Sequence, residues 1–269
     1  MPSKTIAKRY AFALDLIREA GAHAASFLAD RDVLTITAKG VQDMASEADL
    51  STERLIRSRI EDAFPEDAFL GEESGVSEIA PGQGIWVVDP IDGTQPYVSG
   101  LSTWCVSIGY VQNGKVEFGT VYAPARDQMF AGGKAFPATL NGKPVGRNPS
   151  RTIANGLVEV GYSARTDLAV FLPLLTEFLK RDGIFTRGGS GALGLCYVAA
   201  GWLVGYVELH INSWDCVGAI GVLDGAGLKT SNFLAGNGLR NGNPLIAGNE
   251  SIYAELEDLC RKCGIAIPA

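Results

Sequence analysis

The segment "GIWVVDPIDGTQPYVSG", residues 84–100, decides how the chain reads. Its first part, Gly84 to Pro90, is a continuous apolar run that predicts a strand buried on both faces and ended by Pro90. Asp89 and Asp92 stand where that strand should end, and Gly93-Thr94 lead into a short helix containing Pro96. Two carboxylates that close repel each other unless one is protonated or a cation lies between them. A cation is the simpler answer at neutral pH. Pro96 is tolerable in the first turn of a helix, where its missing N–H has no intrahelical partner.

Outward from this segment the chain divides into two patterns. Before it, residues 6–28 and 50–64 carry apolar side chains at helical spacing, with Pro65 stopping the second helix. "AFLGEES" reads as a short strand ending in Glu72 and Glu73. After it, β-rich runs flank Asn113-Gly114, a strong hairpin signal, and Asn141-Gly142 suggests another turn. The second half alternates helix and strand. Leu168–Lys180 is helical, and "IFTRGG", "LVGYVEL" and "NPLIAGN" are strands. "ALGLCYVAAG" and "WDCVGAIGVLDGAG" are helices, and Ser251 opens the last helix. This predicts an α+β half over 1–148 that holds the metal motifs. An α/β half over 149–269 completes the site, with a soft boundary in "VGRNPSRT" at 145–152.

The chain has 269 residues, 46% of them apolar, which is enough for a full core. Its net charge of −7 argues against nucleic acid as the main ligand, because backbone binding needs a basic surface. It does not exclude an anionic substrate, since bound cations reverse the local field. Five cysteines, an odd number, and an N-terminal segment interrupted by Lys4, Lys8, Arg9 and Asp15 predict reduced thiols in a cytoplasmic protein. Cys260 and Cys263 have C-x-x-C spacing but no second pair to complete a zinc site. Residues 188–207 hold no charge, yet their glycines and the acidic flank at Glu208 favour a buried helix and strand over a membrane span.

Asp49, Glu72, Asp89, Asp92 and Asp215 all stand at element ends. Taken singly, Asp49 reads as a helix N-cap, Asp92 as a turn residue, and Asp215 as an acid complementing a helix dipole. Taken together they offer oxygen ligands only, since His23 and His210 have no partner histidine. Such a set selects a hard cation, Mg²⁺ or Mn²⁺. Backbone N–H groups at a helix start after Gly93-Thr94 would attract phosphate. No G-x-x-x-x-G-K-[ST] loop is present, so hydrolysis of a phosphate monoester fits better than nucleotide phosphotransfer.

At these motifs the chain resembles the inositol monophosphatase family of Mg²⁺-dependent, lithium-sensitive phosphatases. "SEADLSTE" (46–53), "GEES" (71–74), "DPIDGT" (89–94), "GSGALGLCYVAAG" (189–201) and "WD" (214–215) follow that family's order and approximate spacing. The resemblance implies a layered α/β/α/β/α sandwich, a homodimer, and two or three Mg²⁺ ions per site. It implies that Glu72, Asp89 and the Ile91 carbonyl hold one metal, and that Asp89, Asp92 and Asp215 hold another. It implies that Thr94 paired with Asp49 orients the attacking water, with Glu72 on the catalytic side. It implies that Gly93 and Thr94 bind phosphate, and that Ser190, Gly191, Ala192 and Glu208 line the substrate pocket.

The sequence departs from the family pattern at Gln95-Pro96, at Cys216-Val217, at "DGAG" (224–227) and at Asn212. None is a metal ligand in the resemblance, so these positions bear on the substrate. Inositol monophosphate, histidinol phosphate and other sugar or nucleotide phosphates stay open. Some relatives of this family also serve as transcription or RNA-processing partners, so a protein-binding role stands as an alternative.

Overall fold

A computed structural model describes residues 2–28, 36–38, 44–76, 79–145 and 152–268. The elements run α1 (Lys4–Ser26), β1 (Ile36–Ala38), β2 (Met44–Ser46), α2 (Glu47–Ala63), β3 (Ala68–Gly71), β4 (Gly75–Val76), β5 (Ile85–Asp92), α3 (Thr94–Ser99) and β6 (Cys105–Gln112). They continue with β7 (Lys115–Ala123), β8 (Gln128–Gly133), β9 (Phe136–Leu140), β10 (Lys143–Pro144), β11 (Leu157–Val160), α4 (Leu168–Lys180), β12 (Ile184–Thr186) and α5 (Gly191–Ala199). The chain finishes with β13 (Gly205–Ile211), α6 (Val217–Ala226), β14 (Lys229–Thr230), α7 (Gly238–Asn241), β15 (Asn243–Gly248) and α8 (Glu250–Lys262).

Two sheets organise these elements. One has eight strands in the order β10-β9-β8-β7-β6-β5-β3-β4; the other has five, β12-β11-β13-β15-β14. Strand β5 shows why the layers stack. Trp86 and Val88 face the cluster built from α1 and α2, with Ile17, Ile56 and Phe64. Ile85 and Val87 face the opposite cluster, which holds Leu195 of α5 and Val222 of α6. Every residue of β5 is buried, as a strand covered on both faces requires. Helices α5 and α6 fill the middle layer, while Leu174 and Phe178 of α4 pack with Leu256 and Leu259 of α8 beyond the second sheet. The result is the five-layer α/β/α/β/α sandwich.

Several local expectations shift. Pro90 does not end β5. The strand runs on to Asp92, and its pairing with β6 slips between Asp89 and Asp92. A bulge accommodates a residue with no N–H to give the ladder, so the proline marks the irregularity and not the end. Helix α2 begins at Glu47, which puts Asp49 inside its first turn and not at its cap. Asn249, not Ser251, caps α8, accepting from the Ile252 N–H at 2.9 Å. Pro96 is the third residue of α3, inside its first turn. The expected half-boundary at 145–152 lies, but for Val145 and Thr152, outside the described residues. Both hairpin signals hold: Asn113 and Gly114 have φ of 52° and 69°, Asn141 and Gly142 of 49° and 75°.

Among the described residues, no helix is long and apolar enough to cross a membrane. The uncharged stretch before Glu208 is instead the nine-residue α5 and the entry to β13. His23 is a helix-packing residue, 2.9 Å from the Ser51 hydroxyl. Cys260 and Cys263 are free thiols on α8 and its C-cap.

Candidate active site

The sheets deliver acids from four directions to one place. The turn after β3 carries Glu72, the bulged end of β5 carries Asp89 and Asp92, the first turn of α2 carries Asp49, and the segment before α6 carries Asp215. One carboxylate oxygen each from Glu72, Asp89 and Asp215 lie within 4.8 Å of one another. Asp89 is 1% exposed. Its carboxylate also accepts the Ile91 N–H at 2.9 Å, which fixes the bulge. Burial drives its pKa well above the carboxylate range, and the charges of Glu72, Asp92, Asp215 and Asp49 push the same way. Burial likewise raises Asp215, against hydrogen bonds from Asp89 and Asn212. Asn212 donates to the Asp215 carboxylate through its backbone N–H at 3.2 Å and its amide at 3.1 Å.

Asp92 is held differently. Its carboxylate accepts from the Ser190 hydroxyl at 2.5 Å and from the N–H groups of Ala192 at 2.7 Å and Gly191 at 3.3 Å. It therefore sits on the N-terminus of α5, where free N–H groups and the helix dipole favour an anion. Burial and the Asp215 charge still push its pKa up to about 7, with those three donors opposing the rise. The donors expected to line the substrate pocket, Ser190 through Ala192, thus bind Asp92 directly. Ser190 and Gly191 also line the cavity described next, and Ala192 is fully buried behind it.

A cavity of about 760 Å³ opens beside these acids. Asp92, Gly93, Thr94 and Asp215 line its inner wall, and Glu208 lines the side formed by β13. Gly93 has φ +93°, and a Cβ there would come within 2.9 Å of the Thr103 carbonyl, so only glycine lets the chain turn from β5 into α3. The Thr94 hydroxyl donates to the Ile91 carbonyl at 3.3 Å. Asp49 is 1% exposed, and its charge acts on both Asp89 and Tyr97. Pro96 is buried, with its ring close enough to Gly189 that a Cβ there would be 2.8 Å away. The odd proline therefore packs the start of α3 against the turn that precedes α5.

Sequence reasoning missed the outer wall. Arg165, Arg187, Tyr162 and Glu159 line it. Arg187 donates to the Tyr162 carbonyl at 3.0 Å, and Glu159 accepts the Gly188 N–H at 2.6 Å. Burial raises the pKa of Glu159, Glu208 and Asp215, and the charge of Arg187 opposes the rise at the first two while that of Arg165 opposes it at Asp215. Glu208 accepts from the Tyr206 hydroxyl at 2.5 Å, yet burial lifts its pKa to about 8. Glu53 closes the "SEADLSTE" motif, but its role is not legible there. Its carboxylate accepts the N–H groups of Glu73 and Ser74, both at 2.9 Å. No local signal marks these residues, because their partners lie 20 to 29 positions away or more.

The donor set fits a hard divalent cation. All three clustered side chains offer oxygen, none offers nitrogen or sulfur, and their mutual repulsion in a buried place calls for positive charge.

Two stacked sheets with Glu72, Asp89 and Asp215 brought together define a layered α/β protein with a candidate metal centre. A profile of the inositol monophosphatase family matches residues 6–261. A protein of Haemophilus influenzae named Nus factor SuhB is 30% identical over 254 residues, covering 93% of this chain and 95% of its own. Inositol monophosphatase 1 of Sus scrofa is 32% identical over 215 residues, covering 77% of each. The crystal structure of extragenic suppressor protein suhB from Bartonella henselae superposes with a TM-score of 0.84 at 27% identity, over 93% of this chain and 96% of that one. The chain belongs to the inositol monophosphatase family.

Proposed function

We propose that this protein hydrolyses a small phosphate monoester of the inositol monophosphate kind in a Mg²⁺-dependent reaction. The observation that carries the reading is the gathering of Glu72, Asp89 and Asp215 oxygens within 4.8 Å, beside a cavity that could take a phosphorylated metabolite. Glu72, Asp89, Asp92, Asp215 and the Ile91 carbonyl would hold two or three Mg²⁺ ions, with Mn²⁺ as a substitute. When bound, such ions supply Lewis acidity toward the phosphate and lower the pKa of a coordinated water. The residues do the rest. Gly93 and Thr94 cradle the phosphate at the cavity wall, and Thr94, with the charge of Asp49 nearby, orients the attacking water. Ser190 and the start of α5 keep Asp92 aimed inward. Glu208 offers a hydrogen-bonding carboxyl to the hydroxyls of the alcohol.

The substrate choice leans toward a neutral polyol. An amine such as histidinol's needs a negative rim. Here Arg165 and Arg187 line the outer wall, so the rim carries positive charge. A homodimer is part of the same reading. Leu168, Leu172 and Leu179 on α4 and Ile184 and Phe185 on the edge strand β12 are each at least 42% exposed, an apolar surface suited to a partner.

A second reading, a transcription partner, is favoured by the relatives named Nus factor SuhB. The net charge of −7 points it toward a protein contact before a nucleic-acid one. The test is a phosphate-release screen over inositol monophosphate, histidinol phosphate, fructose bisphosphate and adenosine bisphosphate, with and without Mg²⁺. Release from inositol monophosphate that depends on Mg²⁺ is expected. No release from any of the four would leave the partner reading standing alone.

A further inference from the structure

Glu53 belongs to α2, one turn beyond Asp49, so both project from the same side of that helix. It is 3% exposed. Its two carboxylate oxygens are spent on two successive backbone N–H groups: Oε2 accepts from Glu73 and Oε1 from Ser74, each at 2.9 Å. Those amides immediately follow Glu72. On the other side, the Glu72 N–H donates to the Val88 carbonyl of β5 at 3.2 Å, next to Asp89. The backbone of Glu72 is therefore held from both directions, by the strand that bears Asp89 and by the helix that bears Asp49.

The glycine before Glu72 completes the arrangement. A Cβ on Gly71 would lie 2.2 Å from Glu53 Oε2 and 2.5 Å from its carboxyl carbon. Glycine is required there because the Glu53 carboxylate occupies the space a side chain would fill. Burying a carboxylate is costly unless it is hydrogen-bonded. Glu53 therefore gains as much from the turn as the turn gains from it.

We infer that Glu53 is a positioning residue for the metal centre. It sets the Glu72 turn so that the Glu72 carboxylate meets those of Asp89 and Asp215, and it ties α2 to the same register. This rests on the metal-site reading above. Partners that orient a ligand commonly change metal affinity by about 10–100-fold when removed. Glutamine at 53 keeps one acceptor oxygen but turns an NH₂ toward the second amide, which loosens the turn without leaving a large void.

The test is Mn²⁺ binding, read by the electron paramagnetic resonance of free Mn²⁺, on the full chain without substrate. Wild-type and Glu53→Gln are compared, with Gly71→Ala as a second variant that displaces the carboxylate from the other side. Thermal unfolding without metal reports the fold. Both variants are expected to bind Mn²⁺ about 10-fold more weakly than wild type while unfolding cooperatively. Where phosphate release is measurable, the Mg²⁺ concentration for half-maximal rate should rise with kcat at saturating Mg²⁺ largely kept. Mn²⁺ affinity equal to wild type in a folded Glu53→Gln overturns the inference alone. Absence of Mn²⁺ binding by wild type removes the metal-site reading and the inference with it. Should Glu53→Gln fail to fold, Gly71→Ala decides by the same criterion.

Discussion

Two groups of acids lie at opposite ends of the same short strand, and they are satisfied in opposite ways. At the start of β3, Asp67 accepts two bonds from the Arg9 guanidinium, at 2.7 and 2.9 Å, and one from the Trp86 indole at 2.9 Å. Arg9 also bonds Glu66 at 2.8 Å, and its pKa is raised chiefly by its bond to Asp67. At the far end, Asp89 faces Glu72, Asp92, Asp215 and Asp49, and all four charges push its pKa the same way. The first group closes its own electrostatics and staples α1 to the sheet. The second gathers carboxylates whose charges oppose one another in a place where three of them come within 4.8 Å, which suits a bound cation, so it reads as a site and the first as a fastening.

The largest effect that sharpens this contrast is expected at the fastening. Arg9→Leu leaves Asp67 buried without its cation and should lower the unfolding free energy by about 3–5 kcal/mol, measured by urea denaturation. Phosphate release per folded molecule should stay near wild type, because Arg9 is remote from the acid cluster in the fold. Loss of turnover out of proportion to the folded fraction would break the division between the two groups.

A smaller effect is expected from pH. Asp92 and Glu208 have folded-state values pushed up to about 7 and about 8, above those of the unfolded chain, near 4. Between those limits the folded protein holds protons that the unfolded chain has lost, so stability falls as pH rises. Without divalent cations, the melting temperature should therefore be higher at pH 5.5 than at pH 8. Mg²⁺ should raise it more at pH 8, where the ligands are ionised. Equal Mg²⁺ stabilisation at both pH values would argue against an ionisable metal cluster.

Much of this was legible in the sequence, and what was not has a common cause. The buried strand at residues 84–90 and the turns at Asn113-Gly114 and Asn141-Gly142 announce themselves locally, through apolar runs and residues that tolerate positive φ. The resemblance to the family rests on five motifs in order, of which "DPIDGT" (89–94) is the specific one. Pro90 misled because proline reads as a stop, whereas the bulge between Asp89 and Asp92 absorbs it. The supporting bonds were invisible because they are long-range. Ser190 reaches Asp92 across 98 positions, Arg9 reaches Asp67 across 58, and Glu53 reaches Ser74 across 21. Single-chain pattern shows which residues can do chemistry; tertiary packing shows which residues hold them in place.

The most direct test of the central claim compares phosphate release from inositol monophosphate by wild type and Asp92→Asn across a Mg²⁺ titration, with circular dichroism on the same samples. Wild type should release phosphate with saturable dependence on Mg²⁺. Asp92→Asn should lose at least about 100-fold in rate while keeping the wild-type spectrum, since it removes a carboxylate of the site itself and not an outer partner. Turnover in Asp92→Asn close to wild type, or wild-type release that persists in excess chelator, would contradict the assignment of this cluster as a metal-dependent phosphatase centre.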